Sequence, residues 1–284
     1  MAKLKVAELF YSIQGEGRYM GVPSVFLRVF GCNFKCEGFG MPPGMKSTER
    51  DMIAIKADDY KDYKELPLVS TGCDSYASWD PRFKHLSPVL DTDSLAKSIC
   101  DILPQKAWGD EHLVITGGEP LLGWQRSYPA LLDAPEMQRL KEITFETNGT
   151  QDLSDDFYDY LNRWTYHRLD GYNTLTFSVS PKLSVSGEKW EEAIVPRVVS
   201  RYSSIGHTYL KFVVASQEDV KEAERAVEAY RDYGFDGNVY LMPVGGTESV
   251  YNLNSRNVAE YAMRKGWRYS DRLQVPLFKN EWGT

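Results

Sequence analysis

Short runs of β-forming apolar residues alternate with helical patterns along this chain, and this alternation restricts the possible folds more than any other feature of the sequence. Strands that alternate with helices predict a parallel sheet with right-handed crossovers. A full or partial β/α barrel and an open doubly wound sheet both fit the pattern, and both place chemistry at the carboxyl ends of strands. The predicted strands are SVFLRVF (24–30), HLVIT (112–116), EITFE (142–146), TLTFSVS (174–180), TYLKFVV (208–214), NVYLM (238–242) and RLQVPLF (272–278).

Helical periodicity predicts three helices between these runs. The first begins at Asp91 or Thr92 and continues to Leu103, the second spans about 217–233 before Gly234, and the third spans about 255–265 before Gly266. The segment 37–72 interrupts the pattern, since it is rich in Gly, Pro and charge. We interpret it as an insertion in a single domain over 1–284.

Composition narrows the class of protein. A net charge of −7 argues against a protein that coats nucleic acid. The sequence contains no run of eighteen apolar residues, so we expect no membrane span. The first seventeen residues lack the apolar core of a secretory signal. Four cysteines are too few for a disulfide scaffold in a chain of 284 residues, which predicts a reducing, cytoplasmic location.

Three of the four cysteines form a candidate metal centre. Cys32 and Cys36 lie on the loop after the strand 24–30, and Cys73 follows the insertion. Three thiolates on a four-iron cluster leave one iron open, where the amino and carboxylate groups of S-adenosylmethionine (SAM) can chelate. The alternative is a zinc site completed by Cys100 or a histidine. Cys100 falls within a predicted helix, where we expect it to pack in the core.

Four more polar motifs accompany the cysteines. Thr116–Pro120 (TGGEP) offers two glycines for close backbone approach and a Glu119 carboxylate that can accept hydrogen bonds from an amine. Glu146–Thr150 (ETNGT) and 178–182 (SVSPK) also follow strands, while ELFYSIQGEG (8–17) precedes the first predicted strand. Arg28 lies inside an apolar run, so we expect a carboxylate ligand or an internal Glu to pair with it.

Together these motifs resemble the 7-carboxy-7-deazaguanine synthase family of radical SAM enzymes. The resemblance rests on SIQGEG, RxxGCNxxC, CDS, TGGEP, ETNGT, SPK and MPxG at 242–245, in order along most of the chain. It implies a partial or modified (β/α)6 radical SAM barrel with an insertion in the cluster-binding loop. It also implies a homodimer and an electron donor such as flavodoxin.

The resemblance assigns roles residue by residue. The 4Fe-4S cluster would be bound by Cys32, Cys36 and Cys73, and Mg²⁺ by Ser75, which replaces the family's usual threonine. SAM would be bound by Gly72, Asp74, Gly118, Glu119, Asn148, Ser180, Pro181 and Lys182. The substrate would be bound by Ile13, Gln14, Gly15, Glu16, Arg28, Thr116 and Glu146, with Glu16 and Arg28 as catalytic residues. The insertion between Cys36 and Cys73 and the tail from Gln274 to Thr284 depart from the family pattern.

The implied reaction is the conversion of 6-carboxy-5,6,7,8-tetrahydropterin to 7-carboxy-7-deazaguanine with release of ammonia, a carbon–nitrogen lyase step of the queuosine pathway. The substrate is a small molecule, with no direct role for nucleic acid or membrane. Two alternatives stay open from the residues. One is an enzyme that installs a glycyl radical on a partner protein, and the other is a zinc-stabilised binding module without catalysis.

Overall fold

A computed structural model describes residues 2–166 and 173–284, and within these ranges nine strands form one mixed sheet. The strands are β1 (Lys3–Ile13), β2 (Pro23–Val29), β3 (Val89–Asp91), β4 (His112–Gly117), β5 (Glu142–Thr147), β6 (Thr174–Val179), β7 (His207–Val214), β8 (Val239–Pro243) and β9 (Arg268–Tyr269). Their order is β3-β1-β2-β4-β5-β6-β7-β8-β9, so the sheet is open and not a closed barrel.

Parallel pairing extends without interruption from β2 to β9, as the alternating sequence pattern predicts. The strands β1 and β3 differ, because β1 pairs antiparallel with both β2 and β3. The sequence pattern does not reveal β1, whose second half falls in the motif ELFYSIQGEG (8–17) before the first predicted strand. The sheet is therefore mixed, and the prediction of a purely parallel sheet was wrong at this edge.

The helices of the structure are α1 (Glu49–Ala54), α2 (Thr92–Ile102), α3 (Tyr128–Leu132), α4 (Asp155–Tyr166), α5 (Trp190–Ala193), α6 (Pro196–Ser203), α7 (Gln217–Asp232), α8 (Glu248–Lys265) and α9 (Gln274–Phe278). The predictions of α2 and α7 are confirmed, and α7 begins with a capping box between Ser216 and Asp219. The third predicted helix begins earlier than expected, at Glu248, and ends before Gly266 as predicted. None of the helices in the described ranges is long and apolar enough to cross a bilayer.

The prediction of a strand over 272–278 was wrong. Residues Gln274–Phe278 form the short helix α9, and the sheet ends at the two-residue strand β9. A short apolar run does not distinguish strand from helix by its periodicity. Pro276 also lacks the N–H that a strand in the middle of a sheet would donate.

Two large groups of buried apolar side chains stabilise the part of the chain that the structure describes, besides a small third cluster at the cysteines. The main core lies between the sheet and its helices, and it includes stacked rings such as Phe177 and Tyr202, whose centroids are 4.5 Å apart. Cys100 is buried in this core, which confirms its expected structural role. A satellite core forms around the insertion and the segment after it, from Ala7, Ala57, Tyr63, Leu66, Val69, Tyr76, Ala77, Phe83 and Leu86.

Candidate active site

A cavity of about 270 Å³ opens on one face of the sheet and contains most of the predicted site residues. Alternate positions on neighbouring strands line it, including Arg28 on β2, Thr116 on β4, Glu146 on β5 and Lys211 on β7. Successive side chains of a strand point to opposite faces of the sheet, so these four residues lie on the same face. Among the predicted residues, Glu119 and Pro181 do not line this cavity, whereas Ile13, Gln14, Gly15, Glu16, Arg28, Cys32, Cys36, Gly72, Cys73, Asp74, Ser75, Thr116, Gly118, Glu146, Asn148, Ser180 and Lys182 do.

The three cysteines Cys32, Cys36 and Cys73 border the cavity and pack around the same small apolar cluster with Phe34 and Ala193. Cys73 lies near Cys36 because the insertion between them folds back on itself. The N–H of Gly72 donates to the carbonyl of Phe39 at 2.8 Å. The Glu49 carboxylate at the start of α1 accepts hydrogen bonds from the backbone and side chains of Ser70 and Thr71, which fixes the turn before Cys73.

These thiols fit an iron–sulfur cluster by their chemistry. All four cysteines are free of disulfides, and burial raises the pKa of Cys36 and Cys73 and raises that of Cys32 to about 12. A buried thiolate therefore needs a positively charged partner such as iron. Within the described ranges, no group of three or more His, Cys, Asp or Glu is close enough to hold a single metal ion. A four-iron cluster is wider than one ion, and its ligands lie correspondingly further apart.

The TGGEP loop supports the cysteine loop directly. A Cβ atom on Gly118 would lie 2.4 Å from the carbonyl oxygen of Gly31 and 2.7 Å from the Cβ of Cys32. The N–H of Glu119 donates to the same Gly31 carbonyl at 2.7 Å. Glycine at position 118 is therefore required by contact with the protein's own cysteine loop.

Glu119 is fully buried and joins two strand-end loops. Its carboxylate accepts from the N–H of Leu121 at 3.0 Å, the hydroxyl of Thr147 at 2.8 Å and the N–H of Asn148 at 2.7 Å. Burial outweighs these hydrogen bonds and raises the pKa of Glu119 to about 7. The hydrogen bonds of the Glu119 carboxylate are thus made with the protein itself. The Asn148 side chain in turn donates to Asn33 in the cysteine loop at 2.9 Å.

The predicted catalytic pair Glu16 and Arg28 lies in two different ionic contacts. Arg28 donates to Glu8 at 2.8 Å. The sequence analysis expected either a carboxylate ligand or an internal Glu to pair with Arg28, and Glu8 is that internal Glu. Glu16 forms an ion pair with Lys211 and another, at 3.1 Å, with Arg272. Burial opposes its ionisation, but Lys211 and Arg272 together hold the pKa of Glu16 well below its usual range.

Sequence reasoning missed three residues of this network, namely Lys211, Arg272 and Gln274. Arg272 also donates to Asp74 at 2.5 Å, so one guanidinium joins a predicted substrate residue to a predicted SAM residue. Gln274 donates to Glu16 at 2.8 Å, while its buried Oε1 has no hydrogen-bond partner in the described part of the chain. Lys211 could have been found by the signal that identified Arg28, a charge inside an apolar strand. Arg272 and Gln274 were hidden by the incorrect strand over 272–278.

The chain's last residues also border the cavity, although the sequence left their role open. Asn280 through Thr284 line it, and the Asn280 side chain donates to the carbonyl of Gly246 at 2.8 Å. The ring of Trp282 lies 5.6 Å from those of Tyr63 and Tyr76 in the satellite core. The C-terminal segment therefore connects the insertion to the cavity wall.

Parallel strands β2 and β4–β8, with three thiols bordering a cavity on one face of the sheet, form an arrangement typical of the radical SAM class of enzymes. No protein-family model matches the chain. It is 31% identical over 301 residues to the 7-carboxy-7-deazaguanine synthase of Halobacterium salinarum, covering 98% of this chain and 91% of the relative. It is 29% identical over 288 residues to the 7-carboxy-7-deazaguanine synthase of Pyrobaculum aerophilum, covering 99% and 97%. This chain belongs to the 7-carboxy-7-deazaguanine synthase family.

The fold agrees with that of a solved structure, the crystal structure of QueE from Escherichia coli. The TM-score is 0.54 at 19% sequence identity, and the alignment covers 94% of this chain and 93% of the other. At this identity the similarity concerns the fold alone.

Proposed function

We propose that this chain converts 6-carboxy-5,6,7,8-tetrahydropterin to 7-carboxy-7-deazaguanine and releases ammonia, as a SAM-dependent radical lyase. The observation that carries the proposal is the convergence of Cys32, Cys36 and Cys73 with Glu16 and Arg28 around one cavity. The family resemblance supplies the substrate, and the polar strand face supplies groups that suit a carboxylated heterocycle. The six consecutive parallel strands β2 and β4–β8 are consistent with a partial radical SAM barrel in which this face is the interior.

Cys32, Cys36 and Cys73 would hold the 4Fe-4S cluster, which when bound supplies the electron for reductive cleavage of SAM. Lys182 and Ser180, whose side chains are 3.1 Å apart, lie at the carboxyl end of β6 on the proposed SAM side. Asp74 lies on that side too and is oriented by Arg272. We assign the other SAM contacts to Gly72, Gly118, Asn148 and Pro181, with Glu119 acting through the loops that it joins.

The substrate residues would position the pterin and exclude water from it. Arg28 can bind the substrate carboxylate with the guanidinium nitrogens that Glu8 leaves free, since only its Nε contacts Glu8. Glu16 stays ionised and is held in place by Lys211, Arg272 and Gln274, so it can accept hydrogen bonds from ring N–H groups. Ile13, Gln14, Gly15, Thr116 and Glu146 complete the proposed substrate contacts.

Several further features belong to the same proposal. Ser75 would contribute a hydroxyl oxygen to Mg²⁺, a ligand type that this ion prefers. A reduced protein such as flavodoxin would donate the electron, and the enzyme would act as a homodimer. The free cysteines favour a reducing compartment such as the cytoplasm. We also propose that residues 1–284 form one domain, with 37–72 as an insertion.

Anaerobic turnover tests this proposal. Reconstituted protein supplied with SAM, a reductant and 6-carboxytetrahydropterin should release 7-carboxy-7-deazaguanine, detected by mass spectrometry. Cys73→Ala should lose the cluster and all product, whereas Cys100→Ala should retain both, because Cys100 lies in the main core. Protein that cleaves SAM but leaves the pterin unchanged would contradict the substrate assignment. Transfer of a radical to a partner protein would favour a glycyl-radical activating enzyme instead.

A further inference from the structure

A tryptophan side chain contacts the sulfur of the third cysteine. The indole N–H of Trp79 donates to the Sγ of Cys73 at 3.4 Å, an ordinary length for the large sulfur acceptor. The Ser75 hydroxyl lies 3.5 Å from the same sulfur. By contrast, the sulfur of Cys32 accepts only a backbone N–H, from Phe34 at 3.4 Å, among the hydrogen bonds that the described residues make. Cys73 is thus the thiol whose environment is set by side chains.

The insertion places a cation on the face of this tryptophan. The guanidinium carbon of Arg50, on α1, lies 4.9 Å from the centre of the Trp79 ring. Arg50 is only 14% exposed, and it is fixed by Glu37 at 2.9 Å and by Asp80 at 3.2 Å. A cation over an indole face attracts its π electrons, which strengthens the ring N–H as a hydrogen-bond donor.

We propose that Trp79 is a positioning residue that acts through Cys73 to raise the reduction potential of the iron–sulfur cluster, and that Arg50 of the insertion strengthens this effect. The inference rests on the proposed function, since it requires a cluster on Cys32, Cys36 and Cys73. Reduction adds an electron to the cluster and increases the negative charge on its thiolate sulfurs. An N–H donor stabilises that charge, and hydrogen bonds to the sulfurs are among the factors that set cluster potentials.

The insertion thereby acquires a role in the chemistry of the site. It supplies Arg50, and its hydrogen bonds of Gly72 with Phe39 and of Glu49 with Ser70 hold the chain that leads to Cys73. The expected result is a cluster that is easier to reduce than one whose third cysteine lacks this donor.

The test is an anaerobic redox titration of the full-length reconstituted protein, followed by electron paramagnetic resonance. In Trp79→Phe, which keeps an aromatic ring but replaces the indole and so removes its N–H, the ratio of reduced to oxidised cluster at a fixed potential should fall about tenfold, or about 59 mV for one electron. Arg50→Met should shift the ratio in the same direction by less. Trp124→Phe is the matched control, because its indole N–H donates to the backbone carbonyl of Phe30 at 2.9 Å and not to a sulfur.

A second readout follows the proton itself. Electron–nuclear double resonance in H2O and in D2O detects the exchangeable protons that couple to the reduced cluster. The signal of the Trp79 indole proton should be present in the unchanged protein and in Trp124→Phe and missing in Trp79→Phe, while the signals of the Phe34 N–H and the Ser75 hydroxyl persist in all three. Iron and sulfide content are measured on every sample. Unchanged protein that assembles no cluster would overturn the proposed function itself. Normal cluster content with an unchanged reduction potential in Trp79→Phe would overturn only this inference. If Trp79→Phe assembles no cluster, an unchanged reduction potential in Arg50→Met would overturn the inference instead.

Discussion

Lys211 and Glu16 form a buried ion pair on the cavity face, with side chains only 6% and 14% exposed. Without Lys211, Glu16 keeps Arg272, which also pairs with Asp74, so two carboxylates would face one cation at a nearly buried site. An excess of buried charge costs more than the loss of a surface pair. Lys211→Met should therefore lower the free energy of unfolding by about 3 kcal/mol, measured by urea denaturation.

A surface ion pair provides the control for this change. Lys265 and Glu224 are 38% and 36% exposed, so Lys265→Met should cost less than about 1 kcal/mol. Equal losses in the two variants would show that the pair of Lys211 with Glu16 has no special energetic role.

His112 at the start of β4 gives the stability a defined dependence on pH. Its side chain is fully buried, its Nε2 lies 2.8 Å from the Thr144 hydroxyl, and burial lowers its pKa from 6.5 to about 4. The neutral form is favoured in the folded state, so this contribution is complete above pH 6.5. It is lost as the pH falls from 6.5 towards 4, by up to about 3 kcal/mol.

Denaturant unfolding at a series of pH values measures this loss. His112→Gln should reduce the decline of stability over that range, and His85→Gln, at an exposed position, is the control for removal of an imidazole. The same decline in all three proteins would assign the acid sensitivity to other groups.

At the scale of elements, the loop after β4 is pressed against the loop after β2. A methyl group on Gly118 would overlap the carbonyl of Gly31 and the Cβ of Cys32, so the cysteine loop must move. Gly118→Ala should lower iron and sulfide content severalfold and destabilise the chain by about 2 kcal/mol. Colorimetric iron and sulfide assays on reconstituted protein measure the first effect, and thermal unfolding measures the second.

Gly109→Ala is the control for this substitution. Its new methyl group would meet only the end of the Glu111 side chain, at 3.2 Å, which can rotate away. Full cluster content in Gly118→Ala would mean that the cysteine loop tolerates the displacement.

The elements also show how far sequence patterns reach. The strands β2 and β4–β8 were predictable, because each is a short apolar run buried between layers. The short strands β3 and β9 were not predicted. Four of the five motifs follow such strands, and the direction of a parallel sheet brings their ends together. The QGEG residues do not follow a parallel strand. They follow β1, which runs antiparallel to β2, so that Ile13 at the end of β1 pairs with Pro23 at the beginning of β2.

The remaining parts of the site depend on tertiary contacts that local patterns do not encode. Arg272 precedes and Gln274 begins a helix that resembles a strand in sequence, and their partner Glu16 is more than 250 positions away. The position of Cys73 depends on hydrogen bonds of Gly72 with Phe39 and of Glu49 with Ser70. Neither contact leaves a periodic signal in the sequence.

At the scale of the whole molecule, Trp282 joins the C-terminal segment to the satellite core. Trp282→Ala should remove its contacts with Tyr63 and Tyr76 and lower the free energy of unfolding by about 3 kcal/mol. The KM for the pterin should rise severalfold with a smaller change in kcat, because Trp282 borders the cavity and is not among the groups assigned to the reacting centre. Thermal unfolding and steady-state kinetics measure both effects.

Leu277→Ala, in the preceding helix α9, removes a side chain that is 55% exposed and should change neither quantity. Identical kinetics in Trp282→Ala and the unchanged protein would indicate that the segment does not contribute to substrate affinity.

The satellite core has a consequence for how such chains can diverge. Most buried apolar residues of the insertion pack in the satellite core, with the segment that follows the insertion, Ala7 and the C-terminal tryptophan, and none belongs to the main core, so the insertion's length can vary without repacking the main core. Lengthening a surface excursion adds little closure entropy, about 0.6 kcal/mol per doubling. Natural selection can therefore remodel the approach to the third cysteine while the catalytic scaffold is inherited intact.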